Sequence, residues 1–347
     1  MADKLQEGMR PMFPFRSTII LALVGFFAIV FPLFLMSIGF LDAYSVLIIT
    51  MGGVNAIMAI SVNTIVGITG QLSLGQAGFL AIGAYGCIFF HLDVGLPLPV
   101  AAACAIAITT VIGFLVGFPV LKLSGDYLAI VTLGFGEIVR VVFINLKSIT
   151  GGPNGRQFIT TMKMDNRLAF VVVTLILVCV LALLQNFLRS TYGRAIKACR
   201  EDEIAANSSG IDIFRYKMVG FVIASFIAGI GGCLYAMVVG LVQPASAQFL
   251  RSIDYLIFVV LGGMGSMTGS VLAAYALTGI QELLRFLPRG LQDARLIVYA
   301  FILVLVMIFR PQGLLGMKEF SFVRSWDALV AFILSKKKKS VKEVSNG

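Results

Sequence analysis

Charge is what this chain has least of. Only 13% of its 347 residues are Asp, Glu, Lys or Arg, about half the share of an ordinary soluble domain. It has a single histidine, His91, at the end of an apolar run beside Leu92 and Asp93. That setting reads as an interfacial side chain, and no HExxH or Cys/His set exists to make it a metal ligand. The five cysteines, Cys87, Cys104, Cys179, Cys199 and Cys233, include no CxxC pair. All but Cys199 lie in apolar runs, as buried free thiols do. There is no GxxxxGK[ST], so the chain lacks a phosphate-cradling loop and is not expected to hydrolyse ATP. Neither a GxSxG elbow nor paired carboxylates in one helical register appear. No catalytic residue, metal ligand or bound cofactor is expected.

What is present is apolar length. Hydrophobic residues make up 59% of the chain, mostly in runs of roughly 20, enough to cross a bilayer as helix. Continuous runs rather than alternation select helices over a barrel. The reading is an all-α polytopic inner-membrane protein with about ten spans, at 17–37, 42–66, 72–92, 97–118, 127–146, 168–188, 218–241, 249–261, 268–287 and 294–309. Residues 1–16 form an N-terminal tail, 17–309 the transmembrane domain and 310–347 a C-terminal tail. The first run is too long for a signal-peptide core and reads as retained.

The net charge of +10 does not point to nucleic acid. Eight of the 27 Lys and Arg residues follow Phe309, and basic tails beside a span indicate cytoplasmic placement and anionic lipid. An even number of spans then puts both termini in the cytoplasm. In the C-terminal tail, Phe322, Val323, Trp326, Leu329, Val330 and Ile333 recur at helical spacing before four lysines, the pattern of an interfacial helix.

Two glycine-rich stretches interrupt the spans, GITGQLSLGQAG (67–78) and GGMGSMTG (262–269). Each is followed by a small-residue helix, LAIGAY (80–85) and VLAAY (271–275), a hint of duplicated architecture. With Asn63, Gln71, Ser73 and Gln76, the first is a candidate for lining a translocation pathway; close helix packing is the plainer reading of the glycines. Glu137 and Arg140 lie three apart on one face inside a span. Intramembrane charge is a functional candidate by default, although mutual neutralisation also explains the pair. Glu282 and Arg285 repeat the spacing near a span end. TGGPNG (150–155) reads as an external turn.

The most distinctive polar segment is the loop 189–217. Within it, 202–209 has the makings of a two-turn helix. Glu201, Asp202 and Glu203 sit where the helix dipole favours negative charge, Ala205, Ala206 and Ser209 are expected to form one smooth face, and Gly210 supplies a stop. Such a helix, held on the water side, is shaped to dock into another protein's groove. In a chain without an energy source of its own, it is the expected point of entry for work.

The stretches GQLSLGQAGFLAIGAY (70–85), DYLAIVTLGFGEIVR (126–140), TGGPNG, GRAIKACREDEIAANSSGI (193–211), LGGMGSMTG and RPQGLLG (310–316) together resemble the LivM-type permeases of branched-chain amino-acid ABC importers. The likeness runs from about Asp42 to Gly316. Permeases for urea and short-chain amides share much of the pattern, so it marks the permease class more sharply than the substrate. The resemblance implies a LivH-like second permease, two cytoplasmic ATPase subunits that use the ATP, and an external amino-acid binding protein. It also implies that the segment like 203–211, which fits E-x-A-A-x-x-x-G, seats in an ATPase groove. Arg194, Arg200, Glu201, Asp202, Glu203, Ala205, Ala206, Ser209, Gly210 and Ile211 are then the coupling residues. A proton-coupled secondary transporter with Glu137 as carrier is the rival class, and a membrane scaffold without a pathway a further one. Uptake by the isolated chain under a proton gradient separates the symporter from the importer.

Overall fold

A computed structural model describes residues 42–123, 125–157 and 164–284, with isolated positions between 25 and 32 and between 300 and 316. The expected spans 17–37 and 294–309, the two tails, the tail helix at 322–333 and Arg285 lie outside the described residues or nearly so. The described chain is mostly helical. In order it contains α1 (Ala43–Asn63), α2 (Gln76–Ile88), α3 (Leu98–Val120), α4 (Asp126–Asn145) and the single turn α5 (Lys147–Thr150). Then come α6 (Asn166–Arg189), α7 (Thr191–Glu201), α8 (Glu203–Ser208), α9 (Ile213–Val239), α10 (Phe249–Gly262) and α11 (Met267–Leu283). Among the described residues, five helices are long and apolar enough to cross a membrane: Ala43–Ile68, Leu98–Val120, Asp126–Asn145, Asn166–Arg189 and Ile213–Val239.

Burial sorts these helices. In the most apolar window of the α1 span 72% of residues are buried, against 28% in that of α3. With helices apolar all round, burial rather than amphipathicity identifies the centre. It is formed by α1 and α9, and α9 packs against α1, α2 and α3. Glycine permits the closest approaches. A methyl group at Gly83 on α2 would stand 2.6 Å from the Gly229 carbonyl oxygen on α9. In lipid such small-residue crossings substitute for the hydrophobic drive that water supplies elsewhere.

The polar segments gather at two opposite ends. At one end, α2 finishes in a wide turn, Phe89–Asp93, and His91 Nδ1 lies 2.8 Å from the Leu96 carbonyl oxygen. The TGGPNG segment is ordered there. Gly151, Gly152 and Gly155 take positive φ angles, and the chain continues into β1 (Arg156–Gln157), which pairs antiparallel with β2 (Leu241–Val242). Arg156 clamps Asp93 through two 2.6 Å hydrogen bonds and donates to the Ile149 carbonyl. The other end holds α7, α8, the segment after α1 and the turn between α10 and α11.

Several helix boundaries differ from those read in the sequence. The second helix begins at Gln76 rather than 72, because the chain leaves helix after Ile68 and Gly70 adopts φ +71°. The central span begins five residues before Met218, where Asp212 caps it by accepting from Arg215 N–H at 3.1 Å. The loop 189–217 also contains α7, capped by Ser190, a helix that its polar composition concealed.

Candidate functional site

The polar island folds into two short helices at a sharp corner. Asp202 is extended (φ −154°, ψ 110°), and its carboxylate oxygen accepts the Ile204 and Ala205 N–H groups at 2.8 and 3.0 Å, an N-cap. Gly210 stops α8 with φ +79°, and Ile211 N–H returns to the Ala206 carbonyl at 3.1 Å, the closure typical of a glycine-terminated helix. Lys217, in the first turns of α9, binds the Glu203 carboxylate at 2.5 Å. The apolar side of α7, with Ala195, Ile196 and Cys199 buried, packs towards α6 and α9.

One detail corrects the expectation of a smooth Ala205–Ala206–Ser209 face. Ala206 is only 4% exposed and turned into the protein, whereas Ala205 and Ser209 are exposed. The dominant outward feature is Ile204, 81% exposed, a lone branched side chain at the tip of the corner. Its signal was the single large apolar residue in an otherwise polar two-turn helix. Glu201 ends α7 rather than opening α8. Arg194 is occupied locally, donating to the Arg189 carbonyl and to the Thr191 hydroxyl.

Arg200 does something different. Its side chain runs between the two glycine-rich segments. A methyl group at Gly70 would meet its Cγ at 3.0 Å, and one at Gly265 would meet its Nη1 at 3.0 Å. Both glycines have positive φ, +71° and +93°. The two segments also approach each other, a methyl group at Gly265 standing 3.3 Å from the Gly67 carbonyl oxygen, and Asn63 Oδ1 at the end of α1 accepts the Gly265 N–H at 2.8 Å. The end of the chain's described part joins here too, with Leu314 N–H donating to the Leu261 carbonyl at 2.7 Å.

All four polar residues read as pathway-lining are buried: Asn63, Gln71, Ser73 and Gln76. After α1 the helix widens into a π-turn, Thr64–Ile68, a deviation often found at functional sites. Thr69 donates to the Ile65 carbonyl at 2.6 Å. The Ser61 hydroxyl lies 2.9 Å from Gln76 Oε1 and 2.7 Å from the Ala224 carbonyl oxygen. Among the described residues Asn63 Nδ2, Ser73 Oγ and Gln76 Nε2 have no hydrogen-bond partner, although native interiors satisfy nearly all such groups. Three orphaned buried polar atoms in one stretch are unusual for a purely structural segment.

Glu137 and Arg140 do pair, Oε2 to Nε at 2.7 Å. The other Glu137 oxygen accepts the Phe249 N–H at 3.2 Å, so the carboxylate holds the first residue of α10 near the middle of the 20-residue α4. Ala77 N–H donates to Ser252 Oγ at 3.1 Å, and Leu74 N–H donates to Thr132 Oγ1 at 3.0 Å. Thus α2 and α10 both begin within the depth of α4, running in opposite directions. Two charges missed in the sequence, Arg251 and Asp254, lie just inside α10. The available signal was their presence in the short apolar run 249–261.

The family described as branched-chain amino acid transport system / permease component matches residues 44–307. The high-affinity branched-chain amino acid transport system permease protein LivM of Escherichia coli (strain K12) is 41% identical over 258 residues, 66% of this chain and 59% of that protein. LivM of Salmonella typhimurium is 39% identical over 264 residues, 68% of this chain and 61% of that protein. LivH of Escherichia coli (strain K12), also a permease protein of a high-affinity branched-chain amino acid transport system, is 29% identical over 190 residues, 54% of this chain and 58% of that protein. The aligned part thus spans about three-fifths of these relatives' length. No solved structure matches. The chain is a multi-pass membrane protein that belongs to the family of permease components of branched-chain amino acid transport systems.

Proposed function

We propose that this chain is the pathway-forming, non-hydrolytic permease subunit of an ATP-driven importer of branched-chain amino acids. It works with a LivH-like second permease, two cytoplasmic ATPases and an external binding protein. About ten spans, with both termini in the cytoplasm of a bacterial inner-membrane system, complete the reading. The observation that carries it is the corner at Asp202. It presents Ile204 outward, anchors α8 to α9 through Lys217–Glu203, and sends Arg200 back against both glycine-rich segments. A force applied at α8 therefore has a physical route to the Asn63–Gln76 region, whose polar side chains are buried.

Nucleotide-driven closure of the ATPases shifts the permease between outward and inward openings only if the two nucleotide states interact differently with its two states. Docking at Ile204 supplies that difference. The symporter reading is disfavoured, since both Glu137 oxygens are engaged, one by Arg140 and one by the α10 N–H. The test is reconstitution of the four-component complex with Ile204→Asp. Loss of ATPase association and of ATP-dependent leucine uptake is expected, and normal uptake with stable association would refute the role of this corner. Proton-driven uptake by the isolated chain would replace the reading altogether.

A further inference from the structure

Arg251 and Asp254 lie three residues apart on α10 and so share a face. Their depth follows from the contacts around them. Phe249, two residues before Arg251, donates its N–H to Glu137 near the middle of α4, and Ser252 accepts from the first turn of α2. The charges therefore lie near mid-depth of the membrane-spanning body, not at either end of it. Their surroundings are poor in compensation. Among the described residues neither side chain makes a hydrogen bond, or an ion pair within 4.0 Å. Glu137, the nearest carboxylate along α4, already holds Arg140 with one oxygen and the Phe249 N–H with the other. Arg251 is exposed at the surface of this chain, Asp254 partly so, and Leu250 beside them is 65% exposed.

An arginine at this depth cannot be left against lipid, and its stem is too short to carry the guanidinium from mid-span to the interface. It must face water or polar atoms of another molecule. Guanidinium is the side chain best matched to a carboxylate, which it binds through two parallel hydrogen bonds. One cation and one anion on a single helical face, with an apolar side chain next to them, complement a zwitterion that carries an apolar tail.

We propose that Arg251 and Asp254 form the head-group site of the translocation pathway, Arg251 receiving the α-carboxylate and Asp254 the α-ammonium of an amino acid, with its side chain along Leu250. This assignment rests on the importer reading above and specifies where within the pathway the cargo is held. It also explains why α10 starts at mid-depth: the Glu137 cap sets the helix so that its first two turns present these charges to the pathway instead of burying them among α1 and α11.

The test uses the whole complex in proteoliposomes, with leucine delivered by the binding protein. Arg251→Gln and Asp254→Asn should each lower uptake about tenfold or more, the scale of one lost charged contact, while both permeases and both ATPases still purify together. Arg251→Lys should keep a substantial part of the activity. The double variant Arg251→Gln/Asp254→Asn should remain as impaired as the worse single variant. Recovery of uptake in the double variant would overturn the proposal, because it would mark an intrachain charge pair that matters only for stability. Loss of the second permease from the single variants would overturn it in favour of an ion pair between subunits. If the wild-type complex imports no leucine, isoleucine or valine, the importer reading fails first and this assignment with it.

Discussion

Asn63 Oδ1 accepts the backbone N–H of Gly265 at 2.8 Å, joining the segment after α1 to the turn between α10 and α11 across 202 positions of sequence. The side chain is buried, and its amide nitrogen has no partner among the described residues. Replacing Asn63 by Leu keeps the volume but strands the Gly265 N–H, at a cost of about 1–3 kcal/mol. The expected result is a lower melting temperature for the purified complex together with slower uptake. An unchanged melting temperature would show that this bond does not hold the two segments.

Ile204 and Ala206 should behave oppositely, although they are two residues apart. Ile204→Asp changes an exposed tip and should leave thermal stability unchanged while ATPase subunits are lost from the purified complex. Ala206→Asp places a carboxylate in a site only 4% exposed. It should destabilise by about 2 kcal/mol or more, an unpaired buried polar group being costly. Melting curves and pull-down ratios for the two variants check the distinction.

Arg200 predicts uncoupling rather than disassembly. Arg200→Ala leaves the outward surface of α8 untouched but removes the strut between Gly70 and Gly265. ATP hydrolysis should continue while leucine uptake per ATP falls severalfold. Gly265→Ala should have a related effect, because its φ of +93° disfavours any side chain by about 1–2 kcal/mol and the new methyl would press on the guanidinium. A wild-type ratio of uptake to hydrolysis in both variants would exclude the strut.

Acid should loosen the opposite end. The Arg156 guanidinium, hydrogen-bonded to both Asp93 oxygens, holds that carboxyl below its ordinary range, against the opposing effect of burial. A carboxyl with a depressed folded-state pKa contributes stability above its unfolded pKa and loses it as pH falls through the folded one. The pair is partly solvated, so its contribution is about 1 kcal/mol or less. Arg156→Gln should therefore lower the melting temperature by more at neutral pH than at strongly acidic pH, where only its bond to the Ile149 carbonyl is left to lose. Parallel curves across the whole range would contradict this.

How far these arrangements were legible in the sequence depends on the kind of information each required. Apolar runs located α3, α4 and α6 to within a few residues, because length and hydropathy are local properties. The Asp202 cap and Gly210 stop were equally local and equally visible. Which side of α8 faces inward was not: Ala205 and Ala206 are chemically identical, and only packing against the body buries one and not the other. The start of α2 at Gln76 depended on Thr132 and Ser252, remote residues that satisfy the Leu74 and Ala77 N–H groups. Arg251 and Asp254 were hidden by averaging, since two charges barely lower the mean hydropathy of the run around them. Their importance emerged from depth, which the Glu137–Phe249 contact establishes.

The glycine crossings of α2 and α9 carry a mechanical consequence. A methyl at Gly83 would press against the Gly229 carbonyl oxygen, and one at Gly231 would stand 2.7 Å from the Met58 sulfur of α1. Helices meshed this tightly cannot slide past one another without collision, so they travel as a single block. Any breathing of the subunit is thereby diverted away from this block, to the helices that pack around it less closely.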